Sequence, residues 1–197
     1  MESASVQLYL ASGSPRRREL LRQIGVNFQR LQVDVPEVRG VEETPEDYVQ
    51  RLALEKARAG SQALQGQPGV VLGADTLGIL RGEVLEKPRN REHAAELLRA
   101  MSGREHTVMT AVALTDGKRE TLRLVQTQVW FRPLSETEIN RYWETGEPED
   151  KAGGYGIQGL GAVFVRELRG SYSAVVGLPL EETAQMLREY NISIWQV

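Results

Sequence analysis

Apolar residues recur along the chain in two patterns, short continuous runs and stripes at helical spacing. The first run, Leu8 to Ala11, predicts a buried strand, and Leu20, Leu21 and Ile24 then form a helical stripe. Further runs predict strands at Asn27 to Val33, Gly69 to Ala74, Leu77 to Leu80, Thr107 to Leu114, Leu122 to Phe131, Ala162 to Leu168 and Ile192 to Val197. Helical spacing predicts further helices at Pro45 to Leu64, Arg91 to Ser102, Glu136 to Thr145 and Leu180 to Tyr190.

The predicted helices carry start and stop signals. Ser14 and Thr44 are good N-caps, and each precedes a proline at the first helical position, where proline is tolerated. Asn90 caps another helix, and Ser135 with Glu138 forms a capping box. The stop signals are glycines: Gly25, Gly103 and Gly146.

Composition narrows the class of protein. The 197 residues are 41% hydrophobic and 26% charged, which is typical of globular proteins. The net charge of -3 argues against nucleic-acid binding, and the lack of cysteine with only two histidines excludes thiolate and histidine-rich metal sites. No apolar stretch is long enough to span a membrane, and Met1 to Ser5 lacks the basic region of a signal peptide. We therefore expect a cytoplasmic protein.

The turn between the first strand and the first helix gathers groups that bind anions. Ser12 and Ser14 offer hydroxyls, the helix N-terminus offers backbone N–H groups, and Arg16, Arg17 and Arg18 follow directly. Three cations in a first turn oppose the helix dipole, where acids are expected. This conflict favours a ligand site, with phosphate as the obvious anion. The alternative is an ordinary helix start with solvated arginines.

Lys56 falls in the middle of the apolar stripe of the long helix. A lysine there either extends to solvent or meets an anion, and the nearby arginines favour phosphate. Glu37 lies just past a predicted strand, where site residues often occur in α/β sheets, although a solvated loop acid is the simpler alternative. The stripe consists of Val49, Leu52, Ala53, Ala57 and Gly60.

Asp75 follows a short apolar strand that ends in small residues. A carboxylate at the end of a buried strand is costly unless it is paired or binds a metal, so we favour a functional role over that of a turn residue. Lys87 stands before Pro88, which fixes an extended backbone, although a plain surface lysine is the commoner outcome.

The segment from Gly153 to Gly161 contains five glycines in nine residues. Such a segment predicts a loop shaped for close approach, and Gln158 is its one side chain with both a donor and an acceptor. A flexible hairpin loop is the alternative interpretation.

These groups suit phosphoryl chemistry. There is no Walker loop, no Gly-x-Gly-x-x-Gly fingerprint in a βαβ unit and no nucleophile–histidine pair. Glu37 and Asp75 are the best candidates to hold Mg²⁺ or Mn²⁺, and water activated by Asp75 or by the metal would be the nucleophile. Cations at 16, 17, 56 and 87 would neutralise charge on the phosphates, which predicts a metal-assisted phosphohydrolase.

Six motifs, in this order, resemble those of the Maf family of nucleoside triphosphate pyrophosphatases. They are Ala11 to Arg17, Glu55 to Ala57, Gly73 to Thr76, Glu86 to Pro88, Ser102 with Gly103, and Lys151 to Gly159. Each motif is weak alone, but together they are specific and cover nearly the whole chain. The resemblance implies one Maf-like domain over residues 1–197 with an α/β fold: an elongated, mixed, twisted sheet flanked by helices, in two lobes with a central cleft.

The resemblance also implies a reaction. The family cleaves between the α- and β-phosphates of a nucleoside triphosphate, with a divalent metal, in the cytoplasm, and its members are frequently homodimers. Its catalytic acid matches Asp75, and its second acid matches Glu37. Its phosphate-handling residues match Ser12, Arg16, Arg17, Lys56 and Lys87.

Three positions indicate a branch of this family. The branch that acts on 7-methyl-GTP carries Trp, Gln and Glu where this chain has Arg16, Thr76 and Gln158. A glutamine can donate to a pyrimidine carbonyl and accept from the N3–H, a pair that uracil and thymine offer. The chain therefore resembles the dTTP/UTP branch, which implies hydrolysis of dTTP, UTP and modified pyrimidine nucleotides, cleansing of nucleotide pools and a link to cell-division arrest.

A second hypothesis belongs to another class of function. The family name derives from an association with septum formation, so the chain would then be a non-catalytic regulator that binds a nucleotide without hydrolysing it. Nucleotide binding without turnover would favour this alternative.

Overall fold

The computed structural model describes residues 6–196. Met1 to Ser5, where we predicted the absence of a signal peptide, and Val197, the end of the predicted last strand, lie outside these residues. The strands are β1 (Leu8–Leu10), β2 (Gln29–Arg30), β3 (Val70–Leu80), β4 (Glu83–Leu85), β5 (Glu105–Thr115), β6 (Glu120–Phe131) and β7 (Val165–Arg169). The α-helices are α1 (Pro15–Gln23), α2 (Pro45–Ala63), α3 (Arg91–Met101), α4 (Glu136–Glu144), α5 (Tyr172–Val176) and α6 (Leu180–Glu189).

The capping signals define the helix starts as predicted. The side chains of Ser14, Thr44 and Asn90 each accept a hydrogen bond from a backbone N–H in the first turn of α1, α2 and α3. Ser135 and Glu138 form the complete capping box of α4. These side chains satisfy backbone donors that a helix start otherwise leaves without partners.

The strands form one mixed sheet. Its order in the described residues is β2-β1-β3-β5-β6-β7, and β4 pairs with the far end of β3. β1 runs parallel to both β2 and β3, while the β3–β4 and β6–β7 pairs are antiparallel. A mixed sheet with interspersed helices confirms the α/β class.

Helix α2 packs closely on β3. Its predicted stripe is buried as expected, and Gly60 lies against the side chain of Val71. At Gly73 the approach is closer still, because a Cβ there would overlap the Ala53 carbonyl oxygen and lie 3.1 Å from the Ala57 Cα. The missing side chain at position 73 therefore lets the backbone of α2 approach the strand.

The prediction that a strand ends before Asp75 was wrong. β3 is one strand of 11 residues, and Asp75 lies in its interior. The apolar residues after Thr76 continue the strand, because Gly78 to Leu80 pair with β4 across the turn at Arg81 and Gly82. Small residues here permit close packing and do not interrupt the strand.

Other boundaries also differ from the prediction. The strand predicted at Asn27 to Val33 is only Gln29–Arg30, and the 3-10 helix Leu160–Phe164 includes the first three residues of the strand predicted at Ala162 to Leu168. The short helix α5 lies where no helix was predicted. Residues 192–196 form no strand; instead, the Trp195 and Gln196 N–H groups bond to the Ile24 and Gly25 carbonyls at the end of α1.

The chain divides into two compact units. Among the described residues, the first contains residues 6–76, 110–125 and 177–196, and the second contains residues 77–109 and 126–176. In the first, Ala11, Leu64 and Val71 form a buried cluster. The second contains an aromatic cluster in which His106, Phe131 and Tyr155 meet edge to face. The single domain over residues 1–197 and the cleft between lobes stay predictions.

Among residues 6–196, no helix combines the length and apolar character that crossing a bilayer requires.

Candidate active site

Lys56 joins two acids in the first compact unit. Its Nζ donates to Asp75 Oδ1 and to Glu37 Oε1, each at 2.9 Å. The Lys56 side chain is only 14% exposed and that of Asp75 11%, whereas the Glu37 side chain is 54% exposed. The lysine inside the apolar stripe of α2 therefore meets carboxylates, one buried in β3 and one on the loop after β2.

Asp75 is buried, and only one of its two carboxylate oxygens accepts a hydrogen bond. Oδ1 accepts from Lys56, but Oδ2 is buried and has no hydrogen-bond partner. Burial raises the pKa of Asp75 above its ordinary value, although Lys56 and Arg17 oppose this shift. A carboxylate whose charge is disfavoured in this way is a better proton acceptor.

Arg17 links the turn before α1 to the strand that carries Asp75. Its Nη2 donates to Thr76 Oγ1 at 3.1 Å, and its Nη1 donates to Ser12 Oγ at 3.3 Å. Its Nε donates to the Gly177 carbonyl at 2.7 Å. At least three of its N–H groups are thus used within the protein, and burial lowers its pKa although Asp75 opposes the shift.

Ser12 and Thr76 accept these bonds from Arg17 and make others. Ser12 Oγ also accepts from the Ser14 N–H at 3.2 Å, which holds the turn in place at the start of α1. Thr76 Oγ1 lies 2.9 Å from Thr110 Oγ1 on β5. The sequence analysis did not single out Thr110, whose signal is a hydroxyl within the apolar stretch Val108 to Leu114 of β5.

The structure therefore brings together one group of predicted site residues. Ser12, Arg17 and Thr76 form one hydrogen-bonded set, and Glu37, Lys56 and Asp75 form another. Asp75 and Thr76 are consecutive residues of β3, so the two sets adjoin. Arg16 is half-buried in the first turn of α1, and its charge acts on Arg17.

Lys87 and Gln158 belong to the second compact unit. Lys87 is exposed between β4 and α3. Gln158 is exposed in a turn that is closed by a hydrogen bond of 3.2 Å from the Gly159 N–H to the Gly156 carbonyl. The glycine-rich segment is thus locally structured, with 3-10 turns at Ala152–Gly154 and Leu160–Phe164. That Lys87 and Gln158 act with the other site residues stays a prediction.

The acids allow a test of the predicted metal. Residues 6–196 contain no group of three or more His, Cys, Asp or Glu side chains suited to hold a metal ion. Mg²⁺ typically takes one or two protein carboxylates and completes its shell with substrate phosphates and water. Two acids on one lysine, with Asp75 Oδ2 left without a partner, fit a cation that arrives with a phosphorylated ligand.

Comparisons with known proteins agree with the motifs. Proteins named dTTP/UTP pyrophosphatase are similar to this chain: one from Saccharophagus degradans is 56% identical over 98% of this chain and 92% of that protein. One from Escherichia coli O157:H7 is 58% identical over 93% of each, and one from Alkalilimnicola ehrlichii is 56% identical over 94% of this chain and 93% of that protein.

A solved structure, the Staphylococcus aureus Ham1 protein, matches more distantly. It has a TM-score of 0.43 and 14% identity, over 64% of this chain and 71% of that chain. The profile of the family described as Maf-like protein matches residues 7–190. The match confirms the resemblance seen in the motifs, and the chain belongs to the Maf-like protein family.

Proposed function

We propose that this protein is a nucleoside triphosphate pyrophosphatase that hydrolyses dTTP and UTP to the nucleoside monophosphate and pyrophosphate. The names of its relatives support this proposal, since identities of 56–58% extend over 92–93% of their lengths. The observation that carries it is the buried Asp75 carboxylate, which is held by Lys56 through one oxygen and has no partner at the other.

Asp75 is proposed to accept the proton of the attacking water. Its raised pKa makes it a stronger base than an exposed aspartate, and Lys56 holds the carboxylate in one orientation. Glu37, which shares the Lys56 ammonium, is proposed as the second acid. In this hydrolysis the water oxygen bonds to the α-phosphorus and its proton passes to Asp75. The bond between the α-phosphorus and the bridging oxygen breaks, and pyrophosphate leaves with that oxygen.

The residues proposed to hold the divalent cation are Glu37 and Asp75. When bound, Mg²⁺ or Mn²⁺ would supply charge neutralisation for the phosphate oxygens. The phosphates are proposed to contact the cationic and hydroxyl groups at Ser12, Arg16, Arg17, Lys56 and Lys87. Arg17 would contact the phosphates through the guanidinium N–H groups that do not bond to Ser12, Thr76 or Gly177.

The base is proposed to be selected by Arg16, Thr76 and Gln158. The exposed Gln158 can donate to a carbonyl of uracil or thymine and accept from the N3–H. Modified pyrimidine nucleotides remain candidate substrates, because a substituent at C5 leaves that pair of groups unchanged. We also propose a cytoplasmic location and a homodimer, as the family resemblance implies, and no nucleic-acid partner, as the net charge suggests.

A nucleotide panel tests the proposed function. Purified protein with Mg²⁺ or Mn²⁺ should release pyrophosphate from dTTP and UTP faster than from CTP, ATP and GTP, and omission of metal should abolish release. Equal rates on all nucleotides, or release of single phosphates, would contradict the proposal. Nucleotide binding without hydrolysis would instead favour the non-catalytic regulator.

A further inference from the structure

The glycine-rich segment is built around a carboxylate. Glu147 begins a 3-10 turn that precedes this segment, at Glu147–Asp150. Its Oε1 accepts from the Leu160 N–H at 2.8 Å, and its Oε2 accepts from the Gly161 N–H at 2.9 Å. Both carboxylate oxygens therefore bind the backbone on the C-terminal side of Gln158.

Tyr142 holds the other side of the same turn. Its hydroxyl accepts from the Gly156 N–H at 3.0 Å and donates to Glu147 Oε2. The Tyr142 ring is buried on α4 and packs edge to face on Phe164, with ring centroids 4.8 Å apart. A residue fixed by its ring thus links Gly156, which precedes Gln158, to the carboxylate that binds the residues after it.

The glycines fit this arrangement. A Cβ on Gly159 would overlap Glu147 Oε1, and a Cβ on Gly161 would lie 2.7 Å from the Tyr142 hydroxyl oxygen. The turn from Gly156 to Gly159 is closed by its own backbone hydrogen bond, with Ile157 buried and Gln158 exposed at its corner. The absence of side chains at 159 and 161 makes room for the carboxylate and the phenol.

We propose that Glu147 and Tyr142 are positioning residues for base selection. They fix the turn that presents Gln158, so that its amide meets the base in one geometry without reordering of the loop. This inference rests on the proposed function, in which Gln158 reads the pyrimidine. Both residues act through the backbone N–H groups of Gly156, Leu160 and Gly161, which flank Gln158, and not through a contact of their own with the nucleotide.

Tyr142→Phe is the direct test, because it removes the hydroxyl and keeps the ring on Phe164. We expect KM for UTP to rise about tenfold and kcat to change less than about twofold, since a looser loop weakens base binding more than water attack. The preference for UTP over ATP in kcat/KM should fall by a similar factor. Glu147→Gln, which keeps the size of the side chain, should act in the same direction.

Tyr155→Phe is the matched control. Tyr155 is also a buried tyrosine of the second unit and adjoins the segment, but its hydroxyl pairs with His106 Nε2 and not with the turn. It should leave both KM and the UTP preference unchanged. Suppose that Tyr155→Phe changes KM and the UTP preference as much as Tyr142→Phe does. The effect would then come from the loss of a buried hydroxyl in general, and the positioning role would be refuted.

A double-mutant cycle separates positioning from stability. With Gln158 replaced by alanine, Tyr142→Phe should cost no further preference for UTP, because the side chain that it positions is gone. Amide exchange should meanwhile show faster exchange at Gly156 in Tyr142→Phe. Additive losses in the cycle, or faster exchange with unchanged preference, would overturn the proposal.

The cycle also keeps the two proposals apart. Wild-type protein that hydrolyses no nucleotide would refute the proposed function and this inference with it. Wild-type protein that prefers UTP but gives additive losses would refute only the role of Glu147 and Tyr142.

Discussion

Asp75 and Glu147 are two carboxylates whose surroundings act on their charge in opposite directions. Asp75 has one oxygen on Lys56 and one without a partner, and its burial raises its pKa. Burial also acts to raise the pKa of Glu147, but hydrogen bonds from Tyr142 and from the Leu160 and Gly161 N–H groups outweigh it and lower that pKa.

The difference separates a reactive group from a structural one. A carboxylate whose two oxygens both accept hydrogen bonds, as those of Glu147 do, is stabilised as an anion and is a weaker acceptor for a proton. A buried carboxylate with one oxygen that accepts no hydrogen bond destabilises the fold when it is charged. Such a group is typical of a functional site, where that oxygen binds a ligand or accepts a proton. The free oxygen, more than burial itself, distinguishes the two sites.

The largest expected effect is on turnover in Asp75→Asn. The amide cannot accept the proton of water at neutral pH, so pyrophosphate release from UTP should fall about a thousandfold or more, which is roughly 4 kcal/mol of activation free energy. Asp34→Asn, an exposed loop acid, is the matched control and should retain full activity. Substantial turnover in Asp75→Asn would show that Asp75 is not the reactive carboxylate of the two.

Lys56→Met should have the next largest effect. It deprives Asp75 and Glu37 of their shared ammonium, and we expect kcat/KM to fall about a hundredfold, roughly 2.7 kcal/mol. Because Lys56 opposes the upward shift of the Asp75 pKa, its loss should raise that pKa further. The acid limb of the pH–rate profile should therefore move to higher pH.

Lys118→Met is the control for this variant, since Lys118 is exposed at the turn between β5 and β6. Its pH profile should superpose on that of the wild type. An acid limb that stays in place in Lys56→Met would mean that Asp75 is not the group that titrates in turnover.

His106 isolates the effect of burial without a charged partner. Burial lowers its pKa from 6.5 to about 4, so the unfolded chain binds a proton that the folded chain excludes between these values. Stability should therefore fall as the pH drops, by about 2 kcal/mol between about pH 7.5 and about pH 5. Denaturant unfolding at the two pH values measures this loss.

His106→Gln should flatten that pH dependence, because it removes the titrating ring. His93→Gln, at the other histidine of the chain, should preserve it. A loss of stability on acidification that persists in His106→Gln would trace to other groups.

The smallest expected effect is on the free energy of unfolding, which two carboxylate-to-amide substitutions should change in opposite directions. Glu147→Gln should lower the free energy of unfolding by about 1 kcal/mol, since a neutral amide serves the backbone donors less well. Asp75→Asn should instead raise it at neutral pH. The raised pKa of Asp75 makes its charge a stability cost that develops as the pH rises from the ordinary aspartate pKa to the raised one, and that is fully present above it. Thermal unfolding of both variants measures the two signs, and equal signs would break the comparison.

The sequence was informative wherever local chemistry decides structure. Ser14, Thr44 and Asn90 cap helices as predicted, because a capping side chain needs only its own first turn. The stripe of α2 also placed Lys56 correctly on the buried face. Its partners were not predictable, because Glu37 and Asp75 reach it only through the folding of distant segments.

The misassigned strand at Asp75 has a physical cause. Gly73 and Ala74 looked like a strand end, because small residues often mark a turn. Here Gly73 allows contact with α2, and the strand continues to pair with β4 beyond Thr76.

Glu147 and Tyr142 carried no clear signal. Their link depends on the bonds of a carboxylate and a phenol to backbone N–H groups up to 14 residues away. The excess of glycine nearby was visible in the sequence, but the groups that it accommodates were not.

Gly73 constrains how this chain can vary under selection. An alanine there would meet the backbone of α2 near Ala57, which cannot swing aside as a flexible side chain can. Lys56 precedes Ala57 on α2, and Asp75 lies two positions after Gly73 on β3, so a displaced helix would stretch their contact of 2.9 Å. In a directed-evolution library, position 73 should therefore tolerate no replacement, and selection for activity alone should reveal this packing constraint.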